Sequence, residues 1–155
     1  MARTMTTMTR WMTGLGVGLL AIGCGGSPDG AEEATDGTTE DPLLAGRHLH
    51  ESEVASLLRS VGFSASVVPK MVCVAKYESS FYEQATNKNR NGTIDRGLFQ
   101  INSIHVGRTA GCPSSSAALF TAATNARCAH AIYQSEGANA WYGYQKHRAE
   151  CNAAR

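Results

Sequence analysis

Residues Val67–Phe81 read VVPKMVCVAKYESSF, and their spacing decides the fold class. Val68, Met71, Val72 and Ala75 fall at i, i+3, i+4 and i+7, and Pro69 sits in the first turn, where a missing N–H is harmless. The spacing predicts a helix with one buried face. Glu78 continues that face, seven positions after Met71 and three after Ala75. A carboxylate at the core-side edge of a helix either reaches out to solvent or loses its hydration. Desolvation raises its pKa toward values useful to a general acid.

Seventeen positions on stands Asp95, within Ala85–Asn102 (ATNKNRNGTIDRGLFQIN). Asn91-Gly92 is a strong hairpin signal, because both residues accept the positive φ of a two-residue type I′ turn. The segment predicts strand, turn, strand, with Asp95 on the second arm and Gln100 and Asn102 beyond it. Asn87, Asn89, Gln100 and Asn102 make an amide-rich surface able to bond sugar hydroxyls or to hold a carboxylate ionised. A polar Asx-rich loop would explain the asparagines, though not their company with Glu78.

Outward from these two segments the pattern is helical. Val54, Leu57, Leu58 and Val61 give Glu51–Val61 an amphipathic helix that ends at Gly62. Gly107–Ser116 reads as loop, with Ser114–Ser116 able to cap the helix after it. Ala117–Tyr133 predicts a central, alanine-rich helix stopped by Gly137. Ala140–Glu150 predicts a last short helix with Trp141, Tyr144 and the adjoining Cys151 on one side. The expected class is α+β: a mainly helical domain, a small β-hairpin subdomain and a cleft between them.

The front of the chain reads differently. Met1–Gly23 has Arg3 and Arg10, no acidic residue, and the short apolar run Gly14–Gly23, which fits a secretory signal better than a membrane span. It stops at Ala21-Ile22-Gly23-Cys24, which resembles a bacterial lipobox, so Cys24 is the expected lipidation site and the membrane a partner through that anchor. The alternative is an ordinary signal peptide with an incidental cysteine. Gly25–Gly46 carries six acidic residues and no basic one, with few large apolar side chains, and reads as a flexible tether. The expected organisation is residues 1–23 signal, 24–46 lipidated cysteine and linker, and 47–155 folded domain.

The whole-chain charge of +1 therefore conceals a basic domain. Arg47–Arg155 holds 12 Lys and Arg against 7 Asp and Glu, a formal net of +5. Such a field suits an anionic polymer, and with export signals present nucleic acid is excluded as a partner. With Cys24 set aside, Cys73, Cys112, Cys128 and Cys151 allow three disulfide connectivities. No close CxxC pair suggests zinc, and His48, His50, His105, His130 and His147 show no metal spacing. No cofactor and no metal are expected.

VCVAKYESSF, then ATNKNRNGTIDRGLFQINS, RCAHAI and NAWYGY, resemble in order and spacing the c-type lysozymes of glycoside hydrolase family 22, over roughly Glu51–Cys151. The resemblance implies a lysozyme-like fold and hydrolysis of the β-1,4 bond between N-acetylmuramic acid and N-acetylglucosamine. Peptidoglycan would be the partner, and the protein an exported, cell-envelope lipoprotein acting as a monomer. It implies Glu78 as acid and Asp95 as nucleophile or electrostatic partner. Asn87, Asn89, Gln100, Asn102 and Trp141 would be substrate-side residues, Trp141 also packing against the acid. The implied disulfides are Cys73–Cys151 and Cys112–Cys128, of which the shorter closure contributes about 3 kcal/mol in the chain-entropy model.

Departures from the family pattern are equally specific. Ile104, His105 and Val106 stand where the family often has sugar-stacking tryptophans, and Arg96 stands where an aromatic is common. The rival reading is a lytic transglycosylase, which cleaves the same bond with one glutamate and releases an anhydro-sugar. A third is a non-catalytic peptidoglycan-binding lipoprotein, against which the presence of both Glu78 and Asp95 speaks.

Overall fold

The computed structural model describes residues 46–155; the expected signal, Cys24 and nearly all of the acidic linker lie outside them. Helix α1 (Glu51–Ser60) starts on His50, whose ring accepts from Ser52 N while Glu53 returns a bond to His50 N, a capping box. Helix α2 (Val68–Ser79) buries Val68, Met71, Val72 and Ala75, the stripe read from its spacing. It packs against α1 and against the two C-terminal helices, α4 (Tyr142–Lys146) and α5 (Arg148–Ala153). α2 is thus the element on which α1, α4 and α5 meet.

Three short antiparallel strands come next: β1 (Thr86–Lys88), β2 (Ile94–Arg96) and β3 (Ile101–Asn102), in the order β1-β2-β3. Asn87 pairs with Asp95, and Asp95 with Asn102, so the register itself brings both amides beside the carboxylate. The turn is not the expected type I′. Gly92 has φ +85, but Asn91 is not left-handed. Asn89 N bonds Thr93 O at 2.9 Å and Gly92 N bonds Asn89 O at 3.0 Å, closing a longer loop. The Asn91 side chain accepts from Thr93 N at 3.0 Å, an Asx arrangement that leaves only the glycine with positive φ.

Two helical expectations are corrected. The central helix begins later: Ser116–Phe120 is a 3-10 turn, Thr121 is extended, and α3 spans Ala122–Glu136 before Gly137 stops it. Ser115 precedes the 3-10 turn without a side-chain cap bond. The last helix is divided into α4 and α5 at His147, and Trp141 precedes α4 rather than lying within it. Trp141, Tyr144 and Cys151 nevertheless share the buried side, as their spacing predicts. Disulfides join Cys73 to Cys151 and Cys112 to Cys128. The first ties α2 to α5, and the second ties the loop before the 3-10 turn to α3.

Candidate active site

The turn Gly97–Gln100 between β2 and β3 is fastened to the helices by three side chains. Ser79, fully buried at the end of α2, donates to Leu98 O at 2.7 Å. Asn125 of α3 accepts from Phe99 N at 2.8 Å and donates to Arg96 O at 2.8 Å and Leu119 O at 2.9 Å. Trp141 Nε1 donates to Phe99 O at 2.9 Å. A buried amide left unbonded would be costly, so these bonds fix the sheet against the helices in one arrangement. Gly97, at φ +78, lies so close to the Asn125 amide that a Cβ there would collide with it. Asn125 is 0% exposed. The sequence reading missed it: a polar residue on a helix shows no local sign that its partners lie 26 and 29 positions away.

Between the two parts lies a cleft of about 210 Å³, and Glu78 and Asp95 both line it. Size alone does not select it. A groove of about 570 Å³ runs along α1 and holds Glu53 and Glu83, but Glu53 is engaged with Arg47 at 2.8 Å and no aromatic residue lines it.

On the sheet side Asp95 is surrounded by donors. Asn102 Nδ2 reaches Oδ1 at 2.6 Å, while Asn89 Nδ2 at 2.8 Å and Asn87 Nδ2 at 3.4 Å reach Oδ2. Thr93 Oγ1 accepts from both Asn89 and Asn102 at 3.0 Å, which orients the two amides. An ionised carboxylate only accepts, and this cradle offers only donors. Of the four amides read from the sequence, three therefore meet on Asp95. Gln100 lines the cleft but donates to Ala85 O and Gly97 O, bracing the turn.

On the helical side Glu78 is half-buried at the end of α2. Its Oε1 accepts from Gly143 N at 2.7 Å. Burial raises the Glu78 carboxyl above its ordinary range; the Gly143 bond opposes this, and the charge of Asp95 adds to the rise. The approach requires a glycine, since a Cβ on Gly143 would stand 2.8 Å from Glu78 Oε1 and 3.0 Å from Tyr77 Cβ. Gly143 was not among the residues read from the sequence, because a backbone donor leaves no trace in side-chain pattern. Trp141 lines the cleft at 4% exposure with its N–H committed to Phe99. His105, which stands where the family often has a sugar-stacking tryptophan, lines it too, as do Glu136 and Tyr142, which were not anticipated.

A family model described as a lysozyme-like domain matches residues 55–143, which include both carboxylates. Lysozyme c-1 of Anopheles gambiae is 34% identical over 109 residues, covering 66% of this chain and 76% of that protein. Lysozyme C of Ortalis vetula is 45% identical over 86 residues, covering 49% and 67%. Lysozyme C of Dromaius novaehollandiae is 36% identical over 120 residues, covering 68% and 82%.

Proposed function

This chain belongs to the lysozyme family, and from that premise we propose that it hydrolyses the β-1,4 bond between N-acetylmuramic acid and N-acetylglucosamine in peptidoglycan. The observation that carries the reading is one cleft holding two carboxylates in opposite surroundings, Glu78 desolvated and Asp95 among three amide donors. Glycoside cleavage passes through an oxocarbenium-like state, so it needs a proton for the leaving oxygen and negative charge beside the anomeric carbon. Glu78 supplies the proton, and its raised pKa keeps that proton available at higher pH. Asp95 supplies the negative charge, as nucleophile or as electrostatic partner. Lysozymes are the type example of this division of roles.

Gly143 holds one oxygen of Glu78, leaving Oε2 as the oxygen free of protein donors among the described residues. Asn87, Asn89 and Asn102 hold Asp95, and Trp141 is a buried part of the same cleft lining. The membrane anchor on Cys24, the signal peptide and a cell-envelope location belong to the same proposal. They are supported by the Ala21-Ile22-Gly23-Cys24 junction and by the four paired cysteines that leave Cys24 over.

Digestion of purified peptidoglycan with mass analysis of the fragments tests the reaction. Reducing-end products support hydrolysis. Products lighter by one water replace it with the transglycosylase reading, and an intact polymer that still binds the protein replaces it with a binding role.

A further inference from the structure

We propose that Tyr142 is the sugar-stacking platform of this cleft, a specificity-determining residue on the wall that carries the acid; the proposal rests on the glycan-cleaving reading above. Among the described residues two large apolar side chains are strongly exposed, Ile104 at 54% and Tyr142 at 67%. A lone exposed apolar side chain needs no explanation. Tyr142 is not alone: it lines the cleft with Glu78 and Asp95. It stands between Trp141, whose indole is buried and hydrogen-bonded, and Gly143, whose N–H holds Glu78. The ring is therefore carried by the same backbone that positions the acid.

The opposite wall offers amides and a carboxylate, and Ile104 and Val106 flank its one ring, the imidazole of His105. Polar groups alone can orient a sugar but cannot cover its apolar C–H face. An exposed tyrosine can, because it presents a rigid flat surface with few torsions to freeze and a hydroxyl that stays wet. Lys146 Nζ lies 5.2 Å from the Tyr142 centroid, one helical turn on, and covers one face of the ring. Even with that cation beside it Tyr142 is 67% exposed, which leaves ring surface for a sugar. The stacking contact that the β-side lacks would thus be supplied from the helical side.

The test compares the full-length protein with Tyr142→Ala, Tyr142→Phe and Ile104→Ala. KM and kcat are measured on soluble peptidoglycan strands, and binding to insoluble peptidoglycan is measured by sedimentation in the Glu78→Gln protein with and without Tyr142→Ala. We expect Tyr142→Ala to raise KM about tenfold, the scale of one lost aromatic contact, with kcat within about twofold. Tyr142→Phe restores KM because the ring makes the contact, and Ile104→Ala leaves both constants unchanged. An unchanged KM in Tyr142→Ala, or a loss that Phe does not restore, overturns the platform while leaving the hydrolase reading intact. A native protein that does not cleave overturns the hydrolase reading instead. Sedimentation then decides the platform by itself: weaker binding without the ring supports it, and equal binding ends it.

Discussion

The two walls of the cleft hold the same functional group by opposite means. On the sheet wall, Asp95 meets three side-chain amides, two of them, Asn87 and Asn102, placed directly across from it by strand register and the third, Asn89, by the turn that follows β1. On the helical wall, Glu78 has one backbone donor and apolar packing beneath it, and burial dominates its titration. Burial favours the protonated form of Glu78, whereas Asp95 meets only hydrogen-bond donors. In the proposed reaction the difference between the two walls, more than the presence of two carboxylates, is what acetal cleavage would use.

Removing either carboxylate breaks the comparison most severely. Glu78→Gln keeps the shape and the Gly143 contact but cannot give up a proton in the reaction, so peptidoglycan turnover should fall at least about a hundredfold. A variant retaining more than a few per cent of native turnover would take Glu78 out of the acid role. Asp95→Asn places an amide opposite three amide donors and removes the charge. Turnover should fall on the order of a hundredfold, the scale of lost electrostatic stabilisation. Near-native turnover there, alongside an inactive Glu78→Gln, is the result expected of a one-glutamate transglycosylase and would make the sheet wall structural.

The disulfides sharpen the comparison less drastically, because they support the walls unequally. Cys73–Cys151 closes a separation of 78 residues and ties α2 to α5, next to the helix that supplies Gly143. Cys112–Cys128 closes 16 residues away from both carboxylates. Chain entropy assigns the longer closure about 4.5 kcal/mol and the shorter about 3 kcal/mol. Replacing Cys73 and Cys151 by serine should lower the melting temperature more, and should also reduce turnover at temperatures where the protein is still folded. Replacing Cys112 and Cys128 should cost stability with little change in turnover. Equal losses of turnover in the two double variants would mean that the docking of α2 does not keep Glu78 dry.

Legibility in the chain divides along the same line. The α2 stripe with Glu78 at its end was readable because helical periodicity is local, and Gly137 stopped α3 where a glycine should. The asparagines around Asp95 were readable because they share its short hairpin segment, which also carries Gln100, whose amide turns to Ala85 O and Gly97 O instead. Features that depend on distant partners were not. Asn125 earns its buried place only when the 97–100 turn arrives beside it, and Thr121 and His147 break helices whose propensity is otherwise continuous. Asn91 accepts positive φ in principle, yet its side chain found a backbone N–H that made another turn better. The cleft was partly visible: Glu78, Asp95, Gln100, Asn102 and Trp141 were in the pattern, whereas Glu136, Tyr142 and the backbone donor at Gly143 were not.

The smallest effect is in stability against pH, and it separates the walls without any substrate. Unfolded, the Glu78 carboxyl titrates near the ordinary value of about 4.3; folded, burial raises it. Between those two values the folded protein holds a proton that the unfolded chain has released. The stabilising contribution is therefore complete below the unfolded pKa, declines as pH rises through the window, and is gone above the folded pKa, where the buried anion is a burden. Glu78→Gln removes that burden. Its melting temperature should equal or exceed the native one at neutral pH, and the gap should narrow as pH falls through that window and hold constant below the ordinary carboxylate value. Asp95→Asn should do the reverse at neutral pH, lowering the melting temperature because one of the two oxygens that accept from the three amides becomes a donor facing donors. The measurement is a set of thermal melts of the three proteins from acid to neutral pH. A Glu78→Gln protein less stable than native at neutral pH would show that the helical wall holds its carboxylate by favourable contacts, as the sheet wall does, and the contrast between the two walls would be lost.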